Sequence, residues 1–152
     1  MAEPPFDLAK AHRWFAVELN NQAWDLLEKA DRTPDETERL IHAAHAACFH
    51  WLHAGNLLNH LRAQNLLATA YARSGLGESA VRHAEKCLAL SNEAGDTQTP
   101  FDLATAHGCA AAAYRAAGQP TQATAAQQQA IAAANKLTDP GDRQVFDSLY
   151  AG

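Results

Sequence analysis

LLATAYARSGLGESAVRHAEKCLAL, residues 66–90, and CAAAAYRAAGQPTQATAAQQQAIAA, residues 109–133, are one unit written twice. Tyr71 matches Tyr114, Gly75 matches Gly118, Ala80 matches Ala123 and Cys87 matches Ala130, each pair at the same offset of 43. Each copy reads as a helix, a glycine turn and a second helix. The alanines at 80 and 123 let two helices approach closely, and the tyrosine fills the gap beside the contact. A unit recurring at fixed spacing predicts stacked helical hairpins, each burying its face against its neighbour.

Working outward from that unit, residues 1–5 are a lead-in containing Pro4 and Pro5. A first long helix is expected over 6–30. It carries two apolar stripes, one of Leu8, Phe15, Leu19 and Leu26 and one of Trp14, Val17 and Trp24, as a helix flanked on two sides requires. The second helix opens at Thr33-Pro34-Asp35-Glu36, an N-cap, a first-turn proline and two acids suited to the positive end of the helix dipole. Gly55 ends it. Further helices are expected over 57–74, 77–94, 101–117 and 120–137, with a short last one over 142–150. Short connections make neighbours antiparallel. The sequence therefore predicts an all-α stack of about seven helices in one domain. Its parts are a degenerate first repeat (6–54), two repeats (57–94 and 100–137) and a C-terminal cap (141–150).

Composition agrees. The chain has 152 residues, enough for a real core, and is rich in the strong helix formers alanine and leucine. Twelve basic residues against 17 acidic give a net charge of -5, which argues against nucleic acid and against anionic membranes as partners. The first residues lack a charged start followed by an apolar core, and no run approaches the roughly 18 apolar residues of a membrane span. The expected setting is the cytoplasm. Cys48, Cys87 and Cys109 are odd in number and widely spaced, so reduced, buried thiols are expected.

The spacing of Ala68, Tyr71, Ala80, Ala84 and Cys87 resembles the signature of the tetratricopeptide repeat. The unit is longer than the standard repeat and closer to the longer variant of kinesin light chains. A narrower resemblance covers most of the chain. NNQAWDLLEK, DRTPDE, HAAHA followed by HW, and FDLA near Phe101 look like a widespread bacterial family of small tetratricopeptide-like proteins. That family has no established activity, so the resemblance implies a fold and no mechanism. Its pattern carries a tryptophan, an arginine and a glutamate where this chain has Asn65, Thr69 and Gly108. On that comparison the groove has lost bulk and charge, and its ligand is expected to differ from its relatives'.

Two candidate sites follow. In stacks of this kind the first helix of each pair lines the concave side, which places Arg62, Asn65, Thr69 and Arg73 in the groove beside Asp102, Thr105, Cys109 and Ala112. Arg62 and Arg73 suit a carboxylate, which a guanidinium binds bidentately. The alternative pairs Arg62 with an acid of a neighbouring helix and leaves Arg73 in solvent. The alanines at 110–113 either leave room or let helices pack closely. The second candidate is a helical face. Glu38, His42, His45, Phe49 and His53 fall within a sector of roughly 80°. Glu38, His42 and His45, with a further ligand from Glu18, Asp25 or His53, would suit zinc or non-haem iron. The alternative is a solvent-facing stripe in which Glu38 pairs with His42. His50, next to Trp51, reads as a packed core imidazole. Thiol pairings of Cys109 with His107 or Cys48 with His45 lack a third orienting group. No glycine-rich phosphate loop, GxSxG or CxxC is present.

The leading expectation is a cytoplasmic, cofactor-free binding module holding a protein or peptide partner, or a small acidic ligand, in its concave groove. The alternative is a small zinc- or iron-dependent enzyme using the Glu/His/His face. Short stacks need their ends covered, so self-association as a homodimer is also expected.

Overall fold

The structure is a computed structural model and describes residues 2–152. Seven helices follow one another: α1 (Leu8–Glu28), α2 (Pro34–Ala54), α3 (Leu57–Arg73), α4 (Gly77–Ala94), α5 (Pro100–Ala116), α6 (Pro120–Ala134) and α7 (Pro140–Tyr150). A short 3₁₀ turn, Gly95–Thr97, joins α4 to α5, and no strand occurs among the described residues.

The helix starts are chemically specified. Thr33 and Glu36 form a reciprocal capping box on α2, Asn56 and Asn59 on α3, and Thr99 and Asp102 on α5. Each box satisfies two backbone donors that a helix start otherwise leaves unpaired. Asp7 accepts from the Lys10 amide, which moves the start of α1 from the expected Phe6 to Leu8. α6 ends at Ala134, three residues earlier than expected, because tighter bonds from the Lys136 and Leu137 amides to Ala133 and Ala134 close it. Gly75 and Gly118, the matched glycines of the repeat, have φ of 74° and 69°. This left-handed conformation lets α3 and α5 turn straight into their partners at no steric cost.

Consecutive helices pack as hairpins, α1 on α2, α3 on α4 and α5 on α6. The first helices also touch one another, α1 with α3, α3 with α5 and α5 with α7, so these four form one face of the stack. The core falls into clusters of different composition. Around α1–α3 it is leucine-rich, with Leu27, Leu40, Leu66 and Leu67 buried; each contributes about 2 kcal/mol by leaving water. Around α4–α6 it is alanine-rich, and Ala80, Ala84, Ala110, Ala111, Ala113 and Ala130 are fully buried. The alanines at 110, 111 and 113 thus serve close helix packing and leave no room for a ligand. Gly77 shows how close that packing is, since a Cβ there would lie 2.5 Å from the Ala116 carbonyl.

A concave cleft closed at one end by the last helix

The four first helices enclose a cleft of about 640 Å³. Asp102 organises its floor from the start of α5. One carboxylate oxygen accepts from the Thr99 amide and hydroxyl at 3.1 and 2.9 Å, and the two oxygens together receive the Arg62 Nε and Nη2 donors at 2.8 and 2.9 Å. The carboxylate is thus a helix cap and a bidentate ion-pair partner at once. Burial pushes its pKa up, but the bonds from Arg62 and Thr99 outweigh burial and leave it below the usual aspartate value. Arg62 is itself raised by its bond to Asp102. Arg62 is therefore paired with a neighbouring acid, the second of the two arrangements expected from the sequence.

Tyr150 occupies the adjoining part of the groove. Its hydroxyl donates to Asn65 Oδ1 at 3.1 Å, so it accepts from the Thr69 hydroxyl at 2.8 Å. Asn65 Nδ2 in turn donates to the Thr105 carbonyl at 2.9 Å, and the Thr105 hydroxyl donates to the Phe101 carbonyl at 2.9 Å. The ring stands against Gly108, where a Cβ would lie 2.6 Å from Tyr150 Cγ. Arg73 donates to the Leu149 carbonyl at 3.3 Å and Gln127 to the Tyr150 carbonyl at 2.8 Å. Burial drives the Tyr150 phenol far above its ordinary pKa, so it stays a neutral hydrogen-bonding group. Of the six expected groove residues, Arg62, Asn65, Asp102 and Thr105 line the cleft, while Thr69 and Arg73 bond the last helix beside it. Their polar groups are spent on internal bonds. The arginine clamp for a carboxylate does not form, because Arg62 answers Asp102 and Arg73 answers the backbone of α7.

What remains open is the cleft between α1 and α7. Trp24, Leu61, Phe101, Val145 and Leu149 give it apolar walls, and Glu28 and Asp142 stand at its edges. Sequence reasoning assigned Trp24 to packing and the last helix to capping, and missed that α7 is a wall. The signal was present in Gly108, a glycine inside a helix, which marks a close approach by something bulky.

The histidine face of α2 divides. His42 Nε2 is 3.7 Å from Glu38 Oε1 and both side chains are exposed. His45 turns away from them to Tyr71, with Nε2 2.8 Å from the phenol. His53 stacks on His12 of α1 at 4.3 Å between ring centroids. Among the described residues no three His, Cys, Asp or Glu side chains gather as a metal set. His50 is only partly buried, and its Nδ1 lies 2.8 Å from that of His12, so it belongs to a surface pair and not to the core. His83, which the sequence did not single out, is buried parallel to Tyr71 at 5.5 Å and bonds Gln64 Oε1 through Nδ1 at 2.8 Å. Nδ1 therefore carries the proton, and the buried Nε2 has no partner. Burial, with smaller contributions from His45, Arg82 and Lys86, lowers its pKa to about 4. Cys109 is fully buried, and a hydrogen bond with the Cys87 thiol together with burial holds its own thiol well above the usual value, which favours the protonated form.

The sequence profile of the tetratricopeptide repeat matches residues 55–136. The chain belongs to the tetratricopeptide repeat family. No curated protein and no solved structure matches it. The matched span runs from the end of α2 to the end of α6, so it covers both written repeats and leaves the α1–α2 hairpin and α7 outside. Tetratricopeptide repeats are helical protein-interaction modules. No helix of the described residues is long and apolar enough to cross a membrane.

Proposed function

We propose that the chain holds an apolar, cation-bearing peptide segment of a partner protein in the cleft between α1 and α7. The observation that carries this reading is the cleft's lining. Five apolar side chains form its walls, and the carboxylates of Glu28 and Asp142 stand at its edges, while the one cation, Arg62, is already neutralised by Asp102. Apolar anchors in a largely preformed concave site supply affinity, and the unmatched carboxylates select charge. A small acidic ligand would meet net negative edges and no free arginine, so the charge pattern favours a basic peptide over it. A cytoplasmic setting accords with three thiols that are all unpaired.

Selection of displayed random peptides against the immobilised full chain tests the reading. Enriched sequences should combine an aromatic or aliphatic anchor with lysine or arginine. They should lose at least tenfold in affinity on Trp24→Ala or Val145→Glu, each followed by circular dichroism. Enrichment of acidic peptides, or binding indifferent to both substitutions, would overturn it.

A further inference from the structure

The other end of the stack carries a second surface. α1 and α2 lie antiparallel, and the furrow between them faces away from α3, where a preceding repeat would stack. Its rungs can be read off contacts. Lys29 pairs with Glu36 at one end, Phe15 stacks on His50 further along at 5.3 Å, and His12 stacks on His53 at the far end. Asp25 and Arg39 line the same furrow one turn inward from Lys29 and Glu36. Around the far rungs the rings are continuous, with Phe49 4.9 Å from His53 and Trp14 5.0 Å from Phe15. Phe15, Phe49 and Leu8 are 44%, 56% and 51% exposed. One half of this face is aromatic and unpartnered, and the other half is charged with two acids and two bases.

That order of charges is self-complementary. A twofold axis running along the furrow lays each α1 over the α2 of a second copy at the same height. Lys29 then faces the second copy's Glu36, Asp25 faces the second copy's Arg39, and the ring cluster meets its own image. An axis across the furrow would set rings on charges and is disfavoured. Size agrees as well. Two 21-residue helices, each about 31 Å long and packed about 10 Å apart, offer a face close to the ~800 Å² per partner of a standard stable interface. We infer that the α1–α2 face is a homodimer interface, closed by a twofold axis along the furrow, with an aromatic–histidine core and two reciprocal pairs of opposite charge per copy. Such an isologous contact stops at two copies, because each face is used up by the other.

Sedimentation of the full chain over a wide concentration range tests this. The expected species has twice the 16.4 kDa chain mass. Phe15→Glu and Phe49→Glu should each give monomer with unchanged helical circular dichroism, and Leu76→Glu, an exposed residue at the α3–α4 turn, should leave the dimer intact. Should the phenylalanine variants misfold, surface charge reversal carries the test. Asp25→Arg should raise the dimer dissociation constant about tenfold, by setting like charges face to face twice, and adding Arg39→Asp should restore it. A monomer at every concentration would overturn the inference. So would a species growing beyond two copies, a dimer that survives every furrow substitution, or charge-reversal effects that simply add.

Discussion

Tyr150 and Phe49 are aromatic residues near opposite ends of one stack, and they have opposite fates. Tyr150 is 3% exposed, seated against Gly108 with both hydrogen-bonding capacities of its hydroxyl used. Phe49 is 56% exposed and lies against the rings of His50 and His53. The difference lies in what the neighbouring helix offers. α3 and α5 present small or short polar residues, Asn65, Thr69 and Gly108, that leave a socket of the right depth. The α1–α2 hairpin presents a furrow with no further helix to fill it. One end of the repeat array is thus completed from within the chain, and the other carries exposed aromatic rings.

The largest effect should come from emptying the socket. Tyr150→Ala removes a buried ring and strands the Asn65 and Thr69 side chains; urea denaturation should show a loss of about 4 kcal/mol. If α7 were an appendage, the loss would be negligible. Next is the buried imidazole between the two ends. In the unfolded chain His83 titrates near 6.5, whereas in the fold its pKa is about 4. The folded state therefore binds fewer protons across that window. Stability from this group is complete above pH 6.5 and falls as pH drops towards 4, by up to about 3 kcal/mol. His83→Gln should flatten that slope in a pH series of denaturation curves, while an unchanged slope would assign the acid sensitivity elsewhere.

Much of this was legible in advance. The repeat at Tyr71 and Tyr114, with its glycine turns, specified the helical hairpins, because period and punctuation are local properties. The N-cap at Thr33 placed the start of α2, and the expected start of α5 at 101 lies one residue from the observed Pro100. Four of the groove positions named in advance, Arg62, Asn65, Asp102 and Thr105, line one cleft. Their pairing was not legible, because a bond such as Arg62 to Asp102 spans two helices and depends on their relative height, which no local pattern encodes. The histidine stripe on α2 shows the same limit. Helical spacing puts Glu38, His42 and His45 on one face, but only the neighbouring α3 and α4 decide that His45 turns to Tyr71. Asn65, Thr69 and Gly108, from which a groove short of bulk and charge was expected, all meet Tyr150, so the chain's own tyrosine fills that part of the groove.

Smaller effects sharpen the contrast. Tyr150→Phe keeps the ring and deletes the hydroxyl, leaving Asn65 and Thr69 each short of a partner; a loss of about 1.5 kcal/mol is expected in the same assay. Phe49→Ser, at the open end, should shift the stability of the monomer by no more than about 0.5 kcal/mol. A loss comparable with that of the tyrosine variants would mean that both ends are equally packed and would erase the distinction.

The most direct test of the sealed end is a double-mutant cycle between Tyr150→Phe and Thr69→Val, read by urea denaturation. If the last helix is locked into the groove through this hydrogen bond, the two substitutions should fail to add by about 1 kcal/mol. Strict additivity would mean that the residues do not interact in solution, and that the last helix is not the wall of the cleft.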